Sequence, residues 1–173
     1  PSGSYSVIVR DVNQCQLQLS ASLTQPTPLH IVSITSPLHN GYNVSCKGGE
    51  DGAVNLTVSG GVPPYTYQWN NGNFTEDLQG LKAGNYSVQV KDANSVQVTA
   101  SITLSQPAGL EVALSAPTYP NGHHTTCYNC SNGSVTTTVT GGVMPYTYSW
   151  NTGQNTQNLS NLMAGTYSLL VTD

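Results

Sequence analysis

Large apolar side chains recur at every second position along much of the chain, in short runs separated by Gly, Pro, Asn and Ser. Tyr65, Tyr67 and Trp69 fall at i, i+2 and i+4, with Thr66 and Gln68 between them, so three rings share one face of a strand. The preceding Gly60-Gly61-Val62-Pro63-Pro64 forbids helix and sets a tight, stiff turn. Val54, Leu56 and Val58 alternate with Asn55 and Thr57, and Tyr86, Val88 and Val90 with Ser87, Gln89 and Lys91. Val96, Val98, Ala100, Ile102 and Leu104 alternate with polar partners in the same way. Leu29–Ile34 reads as a first strand and Phe74–Leu78 as a weaker one. Ser36–Gly52 reads as a long connection, and Asn70-Asn71-Gly72 and Asp92-Ala93-Asn94-Ser95 as turns. No window carries a 3.6-residue period, so the chain is read as all strand.

The pattern repeats. Gly60–Trp69 returns as Gly141–Trp150, 81 residues later. Ser2–Asp11 matches Ala83–Asp92, which matches Ala164–Asp173, again in steps of 81. Gln25-Pro26 recurs as Gln106-Pro107, and Cys46 as Cys127. Tandem copies of one domain with loops of fixed length follow. The expected division is 1–26, the last two strands of a preceding repeat; 27–107, a complete repeat; and 108–173, a repeat lacking its last strand. Seven short strands in about 80 residues is the pattern of an immunoglobulin-like β-sandwich. Trp69 and Trp150 take the place of its core Trp. Tyr86 and Tyr167 resemble its tyrosine corner, in which the hydroxyl bonds backbone upstream. No Cys lies on the second or sixth strand, so the core is expected to rely on packing alone.

Composition narrows the function. Only 7% of residues are charged, the four basic residues are scattered, and the net charge is −4, so nucleic acid and anionic membranes are not the expected partners. No segment is long and apolar enough to span a bilayer as a helix, and no direct membrane insertion is expected. Pro1 opens in mid-pattern, without initiator Met or signal peptide, which suggests an excerpt of a longer protein. The sequons, plentiful in so Asn/Ser/Thr-rich a chain, carry little weight. His123-His124-Thr125-Thr126-Cys127-Tyr128-Asn129-Cys130 has zinc-ligand types at suggestive spacing. The first copy has Tyr42 and Asn43 at the histidine positions, so an oxidised surface loop is the preferred reading. Asp51 with Glu50, and Asp92 with Asn94, supply too few oxygens for calcium and read as turn residues. There is no Gly-x-Ser-x-Gly elbow, no acidic neighbour for His30 or His39, and no recurring carboxylate pair. Three rings at strand spacing read as core rather than as a sugar platform. No catalytic residue, cofactor or metal is expected, and the chain is read as a non-enzyme.

Three motifs in fixed order now carry a resemblance: Gly-Gly-Val-Pro-Pro-Tyr-Thr-Tyr-x-Trp, Ala-Gly-x-Tyr-Ser-Val-x-Val-x-Asp-Ala-Asn, and Asn43–Gly52. Together they resemble the SprB repeat, found in long surface proteins of Bacteroidetes that include the gliding-motility adhesin for which it is named. They are also similar to polycystic-kidney-disease-type sandwiches. The resemblance implies export by type IX secretion and display on the outer cell surface, and brings no catalytic residues with it. It implies a stalk or adhesive filament whose partners are neighbouring repeats of the same chain and surface polysaccharide or other cell-surface components. The alternative is a carbohydrate-binding or spacer module of a secreted enzyme. Two departures stand out: the usual Asp-Ala-Asn-Gly-Cys turn reads Asp92-Ala93-Asn94-Ser95-Val96, and Cys130 replaces Gly49 in the second copy.

Four cysteines allow three pairings. If the family pairs the loop Cys with the turn Cys of its own domain, Cys46 faces Val96 and is left without a partner. If the turn Cys pairs forward with the next loop, Cys15 bonds Cys46 and Cys127 bonds Cys130. The second scheme leaves no free thiol and is the one expected. Against it, turn and loop lie at opposite ends of a standard sandwich, and bonding needs Cα atoms within about 7 Å.

Overall fold

The computed structural model describes Pro1–Asp173 and contains strands but no helix. The strands are β1 (Gly3–Arg10), β2 (Gln16–Leu23), β3 (His30–Thr35), β4 (Gly52–Ser59), β5 (Thr66–Trp69), β6 (Leu78–Leu81), β7 (Gly84–Lys91), β8 (Gln97–Leu104), β9 (Glu111–Ser115), β10 (Gly133–Thr140), β11 (Thr147–Trp150), β12 (Leu159–Leu162) and β13 (Leu169–Thr172). They form small antiparallel sheets, consistent with immunoglobulin-like sandwiches. The orders are β1-β2, β3-β4-β6, β5-β7-β8, β12-β10-β9 and β11-β13. The pairing register carries the repeat: Tyr67↔Val90 and Trp69↔Val88 become Tyr148↔Val171 and Trp150↔Leu169, each partner moved by 81.

Residues 27–107 hold six strands, one for each segment read as a strand and one short of the seven-strand pattern, and the fourth lies at Leu78–Leu81 rather than Phe74–Leu78. The reason is local. Trp69 Nε1 donates to the Thr75 carbonyl at 2.8 Å, and the Thr75 hydroxyl donates to the Asp77 carbonyl at 2.6 Å. Those carbonyls are spoken for, so residues 70–77 cap the indole instead of joining a ladder. Phe74 stands out in solvent, 69% exposed.

By compactness the chain divides into two units, Pro1–Thr35 with Asn55–Leu78 and Tyr86–Ile102, and Ser36–Val54 with Gln79–Asn85 and Thr103–Asp173. The strands of residues 27–107 are shared between the two. In the first unit Leu29, Leu56, Trp69, Leu78, Val88 and Val90 are buried. Its β1–β2 hairpin pairs from Gly3↔Leu23 to Arg10↔Gln16 and is exposed on both faces. In the second unit Val44, Val54, Leu81 and Leu104 are buried, and Trp150, Leu159 and Leu162 form a core with Val135, Tyr167 and Leu169 against it. Thr137, at the position of Leu56, is buried there with its hydroxyl unpartnered.

Trp69→Ala should destabilise the middle repeat by about 3–5 kcal/mol in chemical denaturation, because the 2%-exposed indole leaves a large cavity and an unmet Thr75 carbonyl. Thr137→Val should act in the opposite direction. It keeps the shape, removes the unsatisfied hydroxyl, and should stabilise the third repeat by about 1 kcal/mol in the same measurement.

Candidate functional site

The middle repeat is held at both ends, and the side chains that hold its starting end recur in the third repeat. At the start of the middle repeat, Gly60 and Gly61 have φ of +76° and +65°, a region that glycine adopts freely. A Cβ on Gly60 would collide with the carbonyl of Pro28. The close approach lets Gly61 N–H donate to the Thr27 carbonyl at 2.7 Å. Val62 N–H then donates to Asp92 Oδ2 at 3.0 Å, and Ala93 N–H to the Val62 carbonyl at 2.9 Å. Asp92 Oδ1 accepts Asn94 N–H and Val96 N–H, both at 2.9 Å. The buried carboxylate thus takes three backbone donors and ties the turn before β8 to the turn before β5. Tyr65 closes the ring by donating its hydroxyl to the Gly60 carbonyl. The third repeat builds the same end with Gly141, Gly142, Tyr146 and Asp173; Gly142 N–H donates to the Ala108 carbonyl at 2.9 Å.

The other end of the middle repeat is the loop between β3 and β4. Asn43 N–H and Val44 N–H donate to the Ser105 carbonyl at 3.1 and 3.0 Å. Asn43 Oδ1 accepts the Ser105 N–H and hydroxyl, both at 2.9 Å. Gly48 N–H donates to Gln106 Oε1 at 2.9 Å, and Pro107 is fully buried. The Lys47 side chain lies against Gly109, where a Cβ would meet its Cδ at 2.7 Å. Inside the loop Asp51 accepts the Ser45 N–H at 3.1 Å; bonds from the Ser45 hydroxyl and amide hold this exposed carboxyl below its ordinary pKa. Asn40, Ser45 and Cys46 of the loop share a cavity of about 280 Å³ with Val143, Met144, Pro145 and Asp173 of the third repeat.

Trp69 and Trp150 are 2% and 3% exposed, and Trp150 Nε1 donates to the Thr156 carbonyl as Trp69 does to Thr75. Tyr65 and Tyr67 are half-buried beside Trp69, and burial, with Glu76 adding, pushes the Tyr67 hydroxyl up to about 12. The Tyr167 hydroxyl donates to the Met163 carbonyl at 2.9 Å and Tyr5 to the Pro1 carbonyl at 2.7 Å, each four residues upstream; Tyr86 is half-buried at the same place in the middle repeat. Cys127 and Cys130 are joined as a disulfide, so their sulfurs are not thiolate ligands, and His124 Nδ1 lies 3.0 Å from the Pro117 carbonyl. No group of three His, Cys, Asp or Glu gathers as a metal site would.

The expected Cys15–Cys46 bond is not formed: both are exposed free thiols. Topology explains this. Cys15 sits in the turn that opens β2. Its counterpart in the middle repeat, Asp92–Val96, is tied to the turn beside the start of β3, whereas the Cys46 loop follows the end of β3.

Sequence reasoning placed Asp92 in a turn but not as the acceptor that ties two turns together, and it did not single out Asn43 or the second back-bonding tyrosine pair, Tyr65 and Tyr146. For Asp92 and the tyrosines the signal was recurrence at a step of 81 just outside the strands; Asn43 has no such signal, since His124 stands at its place in the next copy.

Comparison with known families picks out the Cys-bearing loop and the Gly-Gly turn of this arrangement. Residues 42–74 and 125–155 match the family model of the SprB repeat. Each matched SprB stretch runs from the Cys-bearing loop through the Gly-Gly turn to the buried Trp. His123 and His124 lie outside the second stretch. No match to a curated protein was found.

Asp92→Ala should cost about 3 kcal/mol in denaturant melts, because three backbone donors lose a charged acceptor. Asp92→Asn, which keeps one acceptor oxygen, should cost less.

Proposed function

We propose that the chain is a repeat segment of a long exported surface adhesin of the gliding-motility type, in which sandwiches strung in series form a structural stalk or adhesive filament. The observation that carries this reading is the linker between the middle and third repeats. Ser105 and Gln106 are bonded by the loop of the repeat before them, and the Ala108 carbonyl by the Gly-Gly turn of the repeat after them. A connection held at both ends by repeat residues suits transmission of position and load along an array better than independent tumbling of modules. The two SprB matches add support, since that repeat is a component of cell-surface proteins.

The role is mechanical rather than catalytic, and the nearest partners are neighbouring repeats. Surface polysaccharide or other cell-surface components are the proposed ligands of the assembled filament. Export through type IX secretion delivers it to the outer surface.

Antibodies raised against residues 27–107 should decorate intact, unpermeabilised cells of the source bacterium, and deletion of the gene should weaken adhesion and gliding. Label seen only after permeabilisation overturns the surface assignment. A deletion strain that adheres and glides normally, but loses a secreted polysaccharide hydrolase, assigns the repeats to an enzyme's spacer instead.

A further inference from the structure

We propose that the middle repeat carries a glycan-binding site on the outer face of β5 and β7, with Phe74 as the ring on which an uncharged polysaccharide stacks. The loop that carries Phe74 is fixed by the core. The carbonyls on either side of it, those of Asn73 and Thr75, accept the backbone N–H and the indole Nε1 of Trp69 at 2.9 and 2.8 Å. The residue between them is left in solvent, and Phe74 is 69% exposed. The third repeat has the same clamp: Gln154 and Thr156 accept from Trp150 at 3.0 and 2.8 Å. There the residue presented is Asn155. The scaffold is therefore constant and its tip is not. Phe74 is the only phenylalanine in the chain, and a ring held out by a fixed loop meets a ligand at little ordering cost.

Beside the ring lies a cavity of about 180 Å³ lined by Thr66, Tyr67, Gln68, Phe74, Gln89 and Lys91. Thr66 pairs with Lys91 and Gln68 with Gln89, alternating with the buried Trp69 and Val88, so these four stand on the outer face of the sheet. A second cavity, about 310 Å³, shares Gln68 and Gln89 and continues to Asn70, Ser87 and Thr99. From Thr66 to Asn70 the trough runs about 14 Å, room for linked sugars rather than a single one. Its amides and hydroxyls donate to and accept from sugar hydroxyls, and its ring covers the apolar face of a sugar. The side chains of Gln68 and Gln89 are not spent on hydrogen bonds within the protein. Lys91 and Glu76, which acts on Tyr67, bring one charge of each sign, so the face has no net charge and suits an uncharged ligand. In the third repeat Ser149, Asn155, Leu170 and Thr172 replace Gln68, Phe74, Gln89 and Lys91. That face keeps neither the ring nor either glutamine, so the site belongs to the middle repeat.

The site gives a place to the polysaccharide ligand proposed above and rests on that reading for its role. Its test uses purified protein, so failure to bind leaves surface display standing, and failure of surface display leaves binding standing. The 173-residue chain is run in native gels containing dextran, mannan, xyloglucan or laminarin, with polygalacturonate as the charged comparison. At least one uncharged polymer should retard it. Phe74→Ala should weaken that retardation about tenfold, and Phe74→Tyr should retain it. Tyr128→Ala, which removes the exposed ring of the third repeat's loop, should leave it unchanged. Retardation by none of the uncharged polymers, by polygalacturonate alone, or equally in Phe74→Ala overturns the site. Should Phe74→Ala lower the denaturation midpoint, Gln68→Ser with Gln89→Leu, the residues of the third repeat, serves instead, and undiminished retardation in that variant overturns the site.

Discussion

A backbone carbonyl sits where a side chain would have to be. Pro28 presses its carbonyl against Gly60, and Gly109 presses its own against Gly141, so neither glycine can carry even a methyl group. The arrangement at the start of each repeat depends on that contact. It lets the next glycine hydrogen-bond the linker, turns the chain through two positive-φ residues, and presents Val62 or Val143 to an aspartate from the other end of the sequence motif. The strand carrying the tryptophan leaves from this turn. A larger residue at Gly60 would therefore displace the linker and, with it, the indole's approach to the core.

The two ends of a repeat use different chemistry. The starting end is a carboxylate bonded by backbone amides. The finishing end is an amide side chain, Asn43, bonded to a linker serine, with a buried proline beside it. Charge pairing contributes little to either; Lys82 and Glu50 meet at 3.1 Å, but both are largely in solvent. With 7% charged residues, the chain relies on directional hydrogen bonds and apolar burial, and its one disulfide lies within a loop rather than between sheets.

Most of the fold was legible because period-two alternation survives wherever one face of a strand is buried. β3, β4, β5, β7 and β8 were each placed within a residue or two of their observed ends. β6 was not, because Phe74 is apolar without being buried, and the hydrogen bonds that spend the Thr75 and Asp77 carbonyls leave no trace in hydrophobicity. The joint was half legible. Gln-Pro marked the linker, yet the dipeptide does not say that Pro107 is buried or that Gln106 accepts the Gly48 N–H. The cysteines were least legible, since pairing them requires knowing which end of a sandwich a loop occupies, and alternation is silent on that.

The joint is assembled from residues that lie within one period on either side of the linker, and they keep their spacing from copy to copy. Gain or loss of whole copies changes the chain in units of 81 residues. Each such event leaves a loop facing a Gly-Gly turn, with a Gln-Pro linker between them. The number of copies can then change while every surviving junction remains a native one, so the length of the array is free to vary without any repair of the fold.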